Sequence, residues 1–394
     1  MSIHLNEIKG VKCSSIASGI KNNNSLDLSL ISLVEGSSTA AVFTQNIFCA
    51  APVLVAKNHL NFNIQALLIN SGNANAGTGK KGLEDSFKSC EIIAEELNIK
   101  PEQVLPFSTG VIGQLLPVES IEKNANKLVN SLTEDGLGNV AKGILTTDLV
   151  EKYCSVSFKV DGVKVNLSGV AKGSGMIRPN MATMLSFIVT DIGASQDELQ
   201  QCLDISVSQS FNRITVDGDT STNDACTLSA TNQSGILYSQ CKEAFQKALN
   251  DLTKKLAHMI VKDGEGSTKF VEVRVSGLES NEDCLEVAYT VAHSPLVKTA
   301  LFASDANWGR ILAAVGRARV DGISFENINI SLNEVQIISS GEISEQYTEE
   351  AGSREMEKPE ITIWINLGGF KTNESVWTTD LSYDYVKINA EYRS

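Results

Sequence analysis

The chain has 394 residues, more than the size at which a single hydrophobic core usually stops growing, so two lobes or domains are expected. Its 33 basic and 47 acidic residues give a formal net charge of −14, which argues against a nucleic-acid-binding or anionic-membrane surface. Hydrophobic residues make up 42% of the sequence, enough to form extensive buried cores.

The N-terminal segment MSIHLNEIKGVK has an early acidic residue, Glu7, and no arginine-rich amphipathic run. It therefore resembles neither a secretory signal nor an organelle transit peptide. No apolar run approaches the roughly 18 residues of a membrane-spanning helix. Eight singly spaced cysteines are typical of reduced thiols, and the four histidines show no metal-ligand spacing. We expect a soluble cytoplasmic protein with no metal site and no catalytic cysteine.

Short strand patterns alternate with amphipathic helix patterns along the chain, which predicts a mixed α/β fold. The predicted helices cover residues 83–97, 118–132, 195–211 and 242–261. The predicted strands cover residues 65–69, 154–160, 163–167, 270–275, 285–291, 334–338 and 361–367. The third helix opens with a capping box, Ser195 with Glu198. The glutamate-rich stretch 340–360 is predicted to be a solvated connection, helical at most in part.

The segment KGSGMIRPNMATMLSFIVTD, residues 172–191, places a threonine between a glycine-rich turn and an apolar strand. The apolar run at 184–189 indicates a buried strand, with Thr183 at its start. A neutral hydroxyl is a poor nucleophile unless a base lies beside it. Chain cleavage before a threonine supplies one, because an α-amino group with a pKa of about 7.7 to 8.0 is partly neutral near pH 7. From spacing alone, a turn feeding a core strand is the commoner explanation.

Two other motifs do not meet the requirements of the chemistry they suggest. The glycine spacing in NSGNANAGTGKKG, residues 70–82, is that of a phosphate-binding loop, but Thr78 stands where the lysine is required. The alternating oxygens of DGDTSTND, residues 217–224, resemble a calcium loop, but Thr222 replaces the turn glycine and Leu228 the final glutamate. We expect the second block to pack beside the functional site.

Ordered blocks across the whole chain resemble the ornithine acetyltransferase family, the self-cleaving glutamate N-acetyltransferases of arginine biosynthesis. The matching blocks are NSGNANAGTG (70–79), STGVIG (108–113), TTD (146–148), KGSGMI (172–177), PNMATML (179–185), DGDTSTND (217–224), DGEGSTK (263–269), SDANWGR (304–310) and NAEYRS (389–394). PNMATML is the most specific of them. The resemblance implies a two-lobed fold of mixed sheets with flanking helices, similar to DmpA-like N-terminal-nucleophile proteins.

The resemblance also implies that the chain matures by cleavage between Ala182 and Thr183. The products would be an α chain, residues 1–182, and a β chain, residues 183–394. Thr183 would then attack the acetyl carbonyl of an N-acetylated amino acid and form an acetyl-threonine ester.

Further site residues follow from the same resemblance. Thr109 and Gly110 match the oxyanion-hole positions, where donors stabilise developing negative charge. The positions implied to contact substrate are Thr146, Lys172, Thr183, Glu265, Asn389 and Ser394. A lysine can pair with a substrate carboxylate, and a glutamate can hold an ammonium or assist proton movement.

The implied reaction moves acetyl from N2-acetylornithine to glutamate with ping-pong kinetics. Acetyl-CoA remains open as a second donor, and no cofactor is expected. The implied assembly is a heterotetramer of two α and two β chains. Two rival interpretations remain: a hydrolase or aminopeptidase that uses an N-terminal threonine, and a non-catalytic binding protein with an inactive site.

Three residues bear on how closely the chain follows the family pattern. Gln114 stands where a glutamate is usual, and Ser267 where an alanine is usual. Neither is a nucleophile or an implied contact, so they affect fine tuning and leave the reaction unchanged. Arg178 lies at a variable position, where it is either a solvated turn charge or a residue that helps to choose the acceptor.

Overall fold

The computed structural model describes residues 5–178 and 184–391. The chain divides into two compact units, which confirms the prediction from its length. The first unit comprises Met1–Asn212 and Asp219–Ile260. The second comprises Arg213–Gly218 and Val261–Ser394. Each unit contains both helices and strands, so the predicted mixed α/β class is confirmed.

The first unit contains two sheets. Its strands are β1 (Val11–Ile16), β2 (Leu28–Leu33), β3 (Ser38–Phe43), β4 (Ala66–Asn73), β5 (Val104–Val111), β6 (Lys152–Val160), β7 (Val163–Lys172), β8 (Leu185–Thr190) and β9 (Ala225–Ala230). The four-stranded sheet has the order β1-β2-β4-β5, and the five-stranded sheet has the order β3-β9-β8-β7-β6. The pairs β4–β5 and β8–β9 are parallel, whereas the other neighbours are antiparallel.

The two sheets of the first unit pack face to face over one shared core. Leu67 and Phe107 of the four-stranded sheet belong to the same buried cluster as Phe187 and Val189 of the five-stranded sheet. The rings of Phe107 and Phe187 meet edge to face with centroids 5.0 Å apart. Sheet-on-sheet packing buries alternate side chains of every strand, so strand β8, which is buried along its whole length, lies deep in the unit.

Helices pack against both sheets of the first unit, and the short helix Leu137–Gly143 contributes to the core that the two sheets share. They are α1 (Ala51–His59), α2 (Gly79–Leu97), α3 (Val118–Asn130), α4 (Leu137–Gly143), α5 (Gln196–Ser208) and α6 (Lys242–Lys262), which runs into the second unit. Helices α2 and α3 share a buried cluster with the four-stranded sheet. Leu252 and Leu256 of α6 lie against Gly169 of β7, where a Cβ would come within 3.0 Å of them.

The second unit is built on one six-stranded sheet of order β13-β12-β11-β14-β10-β15. Its strands are β10 (Phe270–Ser276), β11 (Asn329–Leu332), β12 (Val335–Ser339), β13 (Glu342–Ile343), β14 (Glu360–Asn366) and β15 (Asn373–Thr379). Its helices are α7 (Asn281–Ala292), α8 (Pro295–Phe302), α9 (Trp308–Gly316), α10 (Glu349–Met356) and α11 (Tyr383–Ala390). Valines and isoleucines of the sheet pack against α7, α8 and α9 in one core.

One predicted strand is wrong, because residues 285–291 lie in helix α7. The buried positions Cys284, Val287, Ala288, Val291 and Ala292 recur at helical spacing. The helix begins after Ser280, whose Oγ accepts a hydrogen bond from the amide of Asp283 at 3.0 Å. The prediction took the strand period where the helix period applies.

The other predicted helices and strands are confirmed, with small shifts at their ends. The capping box of α5 is present, although the helix ends at Ser208 and not near Phe211. The stretch 340–360 contains the short strand β13 and helix α10. It was predicted to be a connection that is helical at most in part, and the helix agrees with this prediction.

Candidate active site

Parallel strands β4 and β5 end side by side at two glycines. Gly72 pairs with Gly110, and both have positive φ, +100° and +131°. A Cβ on Gly110 would lie 2.3 Å from the carbonyl carbon of Gly72, so only glycine fits there. The backbone of the predicted oxyanion hole is therefore held in a conformation that other residues rarely adopt.

Buried asparagines brace this end of the sheet. Ser108 donates to Asn70 Oδ1 at 2.6 Å, and Asn70 Nδ2 donates to the carbonyl of Asn73 at 2.8 Å. Asn223 Nδ2 donates to the carbonyls of Ala74 and Ser108 at 2.6 and 2.9 Å. These bonds hold the backbone on either side of Thr109 in place.

Residues 219–224 lie beside this region in the first unit, as predicted for the block that contains them. Asp224 is buried, and its Oδ1 accepts a hydrogen bond from the amide of Met184 at 2.9 Å. Met184 directly follows Thr183 in the sequence. The first two residues of the block, Asp217 and Gly218, belong to the second unit.

Three predicted residues of the first unit come together. Lys172 Nζ donates to Thr109 Oγ1 at 3.3 Å, and both side chains are buried. Lys172 Nζ lies 4.0 Å from Asp148 Oδ2, which accepts a hydrogen bond from the Thr146 amide at 3.1 Å. Gly110 follows Thr109 on the same strand. A buried ammonium beside a glycine turn can attract a carboxylate and the oxygen of a polarised carbonyl.

Two predicted residues of the second unit form a second cluster. Asn389 of α11 donates through Nδ2 to Glu265 Oε2 at 2.8 Å. The loop that carries Glu265 is tied to the start of α11, since Ser382 Oγ donates to the carbonyl of Gly266 at 2.7 Å. Glu265 is 8% exposed, so its carboxylate is a buried acceptor that a substrate ammonium could satisfy.

The remaining predicted positions lie in or next to segments 179–183 and 392–394. Ala182, Thr183 and Ser394 lie outside the described residues. Arg178 is exposed, which fits a solvated turn charge.

The cysteines of the chain are poorly suited to nucleophilic chemistry. All eight are free thiols, and seven of them are buried. Burial raises the pKa of Cys154 and Cys226 to about 12, so their thiolates are strongly disfavoured near neutral pH.

Two further features concern metals and membranes. Over residues 5–178 and 184–391, no group of three or more histidine, cysteine or carboxylate side chains is arranged to hold a metal ion. In the same part of the chain, no helix combines the length and the apolar character needed to cross a lipid bilayer.

Sequence reasoning missed several residues of the site. Asp148 and Asp224 end the blocks TTD and DGDTSTND, and each binds the amide of a residue next to a predicted site residue, Gly173 and Met184 respectively. Their signal was a single acidic residue at the end of a polar block. Lys152 lies four positions after Asp148 but belongs to no motif, whereas Lys21 comes near Asp148 only through the fold.

The chain is similar to known proteins over almost all its length. Residues 12–394 match the model of the ArgJ family. The arginine biosynthesis bifunctional protein ArgJ of Pseudomonas syringae pv. tomato is 49% identical over 99% of this chain and 98% of its own. The protein of the same name from Methylococcus capsulatus is 48% identical over 100% of this chain and 97% of its own. A crystal structure of the corresponding Bacillus halodurans protein is 36% identical, with a TM-score of 0.47, over 53% of this chain and 100% of the solved chain.

Proposed function

The chain belongs to the ArgJ family, and from that premise we propose that it transfers acetyl from N2-acetyl-L-ornithine to L-glutamate. The products are ornithine and N-acetylglutamate. The protein is an acyltransferase of arginine biosynthesis, and its substrates are small molecules. The observation that supports this most directly is the buried contact between Lys172 Nζ, at the end of β7, and Thr109 Oγ1 of β5, 3.3 Å long.

The proposed first half-reaction begins with Thr183 as a new N-terminus. Its α-amine takes the hydroxyl proton while Oγ attacks the acetyl carbonyl carbon. Thr109 and Gly110 would stabilise the resulting oxyanion. The C–N bond to ornithine then breaks, the leaving nitrogen takes the proton, and the acetyl group remains on Thr183 as an ester.

In the second half-reaction, the glutamate amine attacks the acetyl ester. A new C–N bond forms, the ester C–O bond breaks, and the threonine oxygen regains a proton through its own amine. The position of Lys172 supports this assignment, because Lys172 pairs across β7 and β8 with Leu185, two residues beyond Thr183.

Substrate recognition is proposed to use charged groups. Lys172 would pair with the α-carboxylate, with Thr146 nearby. Glu265, held by Asn389, would bind an ammonium or assist proton movement. Ser394 would complete the contacts, as the family resemblance implies.

Further aspects of the function are also proposals. Acetyl-CoA is proposed as a second acetyl donor, since its thioester offers Thr183 the same carbonyl, and the relatives' name "bifunctional" supports this. No resident cofactor is proposed. Two α and two β chains are proposed to assemble as a heterotetramer. The reaction is placed in the cytoplasm, where eight free thiols stay reduced.

The function can be tested with purified protein in two steps. The denatured mass first shows whether the backbone is broken before Thr183. Ornithine release from N2-acetylornithine is then measured with and without glutamate. We expect two chains, release that depends on glutamate, and parallel initial-rate lines. Ornithine release that does not need glutamate would identify a hydrolase. A chain that stays intact and inactive would contradict the proposed mechanism.

A further inference from the structure

A buried carboxylate links the predicted substrate-binding residues of the first unit. The Asp148 side chain is 0% exposed, and so is that of Lys152. Asp148 Oδ1 accepts hydrogen bonds from Lys152 Nζ and from the Gly173 amide, both at 2.7 Å. Its Oδ2 accepts from the Thr146 amide at 3.1 Å and lies 4.0 Å from Lys172 Nζ. One carboxylate thus contacts the Thr146 amide, the amide of Gly173 next to Lys172, and the Lys172 ammonium at longer range.

Asp148 forms a close ion pair with Lys152, 2.7 Å long, and a longer one with Lys172, 4.0 Å long. Lys152 is anchored further by its bond to the carbonyl of Val150 at 3.2 Å. The longer distance from Asp148 to Lys172 leaves the Lys172 ammonium within reach of Thr109. Both ammonium groups therefore attract the Asp148 carboxylate, Lys152 through a direct hydrogen bond and Lys172 through its charge.

A third lysine adds to the positive charge of this region. Lys21 Nζ donates to the carbonyls of Leu145 and Leu26 at 2.7 and 3.1 Å. Burial lowers the pKa of Lys21 and the charge of Lys172 lowers it as well, whereas Asp27 and Asp148 raise it. The charges of Lys21, Lys172 and Asp148 therefore act on one another. Asp27 is occupied by the amides of Ser18 and Lys21.

Asp148 stays ionised in this setting. Burial raises its pKa, but the positive charges of Lys172 and Lys152 and the bonds from Lys152 and Gly173 lower it well below the ordinary range. The carboxylate is therefore a fixed negative charge at every pH at which the enzyme would work.

We propose that Asp148 is a positioning residue for acetyl transfer, which holds Lys172 and the Thr146 amide in place so that the Lys172 ammonium can meet a substrate carboxylate. This inference rests on the proposed function. An ammonium that is already held in place loses less freedom when substrate binds, so the cluster favours amino-acid substrates with an intact carboxylate. Asp148 acts through Lys172 and Thr146 and does not itself touch the reacting atoms.

The test begins with Asp148→Asn, which keeps the shape and removes the charge. We expect cleavage to be retained, KM for N2-acetylornithine and glutamate to rise about tenfold or more, and kcat to change less than about threefold, since hydrogen bonds to charged groups have this strength. Loss of the negative charge disfavours protonated Lys172, so the alkaline limb of kcat/KM should move to lower pH.

Lys152→Met gives the opposite sign and keeps the inference testable if Asp148→Asn fails to fold. It removes a repelling positive charge, so the alkaline limb should move to higher pH while KM still rises. The matched control is Asp191→Asn, because Asp191 is also buried but, within the described part of the chain, its carboxylate binds Asn166 alone, at 2.9 and 3.1 Å. That variant should keep the wild-type KM and pH profile.

The outcomes separate this inference from the proposed function. If wild-type protein does not transfer acetyl, the proposed function is wrong. If it does, and both variants shift the alkaline limb in the same direction or leave KM unchanged, Asp148 has no positioning role. A second outcome would also overturn the inference. In it, Asp148→Asn and Asp191→Asn fold poorly and lose activity equally, and Lys152→Met keeps the wild-type pH profile.

Discussion

Gly110 shows how one backbone conformation can serve the chemistry at the residue scale. Its φ of +131° and its close approach to Gly72 leave no space for a side chain. The amide that follows Thr109 can then be aimed at a substrate oxygen without side-chain obstruction. Thr109, the residue before it, accepts a hydrogen bond from Lys172 of β7. This bond supports the end of β5 that carries the Gly110 amide.

We therefore expect Gly110→Ala to lower kcat by about 10²-fold or more, the loss that follows removal of an oxyanion-hole donor. The new Cβ would lie 2.3 Å from backbone, so the strand end must shift. Gly138→Ala is the control, because Gly138 lies in α4 and its Cβ would meet only a leucine carbon at 3.7 Å. Steady-state kinetics on both variants decide the matter, and equal kcat values would exclude Gly110 from the oxyanion hole.

Thr183 is the second residue whose substitution is decisive. Thr183→Ser keeps a hydroxyl and should retain partial cleavage and transfer, whereas Thr183→Ala should remain one chain without activity. Denatured mass and ornithine release measure the two effects separately. Complete cleavage of the alanine variant would show that the hydroxyl does not drive processing.

At the scale of elements, helix α8 brings a buried lysine to the end of strand β15. Lys298 Nζ donates to Thr378 Oγ1 at 3.0 Å, to Thr379 Oγ1 at 3.2 Å and to the carbonyl of Thr379. The next residue, Asp380, accepts bonds from the amides of Thr268 and Lys269 at 2.8 and 3.0 Å. The loop that carries Glu265 is thereby tied to the segment that leads to α11.

The buried lysine predicts how stability depends on pH. Burial lowers the pKa of Lys298 to about 7, although Asp380 and Asp217 raise it. The unfolded chain binds more protons than the folded chain from pH 7 up to about 10.4, so the free energy of unfolding should rise with pH in that window. The gain from pH 7 to 8.5 should be on the order of 1 kcal/mol.

Urea unfolding at pH 7 and 8.5 tests this prediction. Tryptophan fluorescence is a suitable signal because Trp308, Trp364 and Trp377 all belong to the second unit. The Lys298→Met variant lacks the titrating group and should lose most of the rise. A variant that keeps the wild-type pH dependence would place the effect on other groups.

At the scale of the whole molecule, the predicted cleavage point lies within the first compact unit. Strand β8 pairs with β7, which precedes the cleavage point, and with β9, which follows it. The core between the sheets also combines Leu67 and Phe107 from before this point with Phe187 and Val189 from after it. Separation of the two chains would expose this core to water.

We therefore expect chains 1–182 and 183–394 to remain associated under native conditions after cleavage. Each large apolar side chain of the shared core contributes about 1.5 to 3 kcal/mol through burial. Native mass spectrometry should detect both chains in one particle, and denaturation should release them. Free α chain in fresh native protein would contradict the prediction.

Local patterns allowed fewer than half of the described helices and strands to be predicted from the sequence. The capping box of Ser195 and Glu198 and the helical periodicity of α2 and α3 depend on residues three or four positions apart. The error at 285–291 arose where a short apolar run fits either period, and packing of one face against the sheet decided for the helix. The approximate ends of the elements were predictable, but their partners were not.

The sequence by itself determined the fold class, some of the helices and strands and, through its ordered blocks, the family and its predicted site residues. Only the tertiary structure decided which of those residues meet. Lys172 reaches Thr109 across 63 positions, and Asn389 reaches Glu265 across 124. Asp224 likewise reaches the amide of Met184 across 40 positions. Contacts of such long range depend on sheet pairing and core packing, which bring distant segments together and which no local pattern of residues encodes.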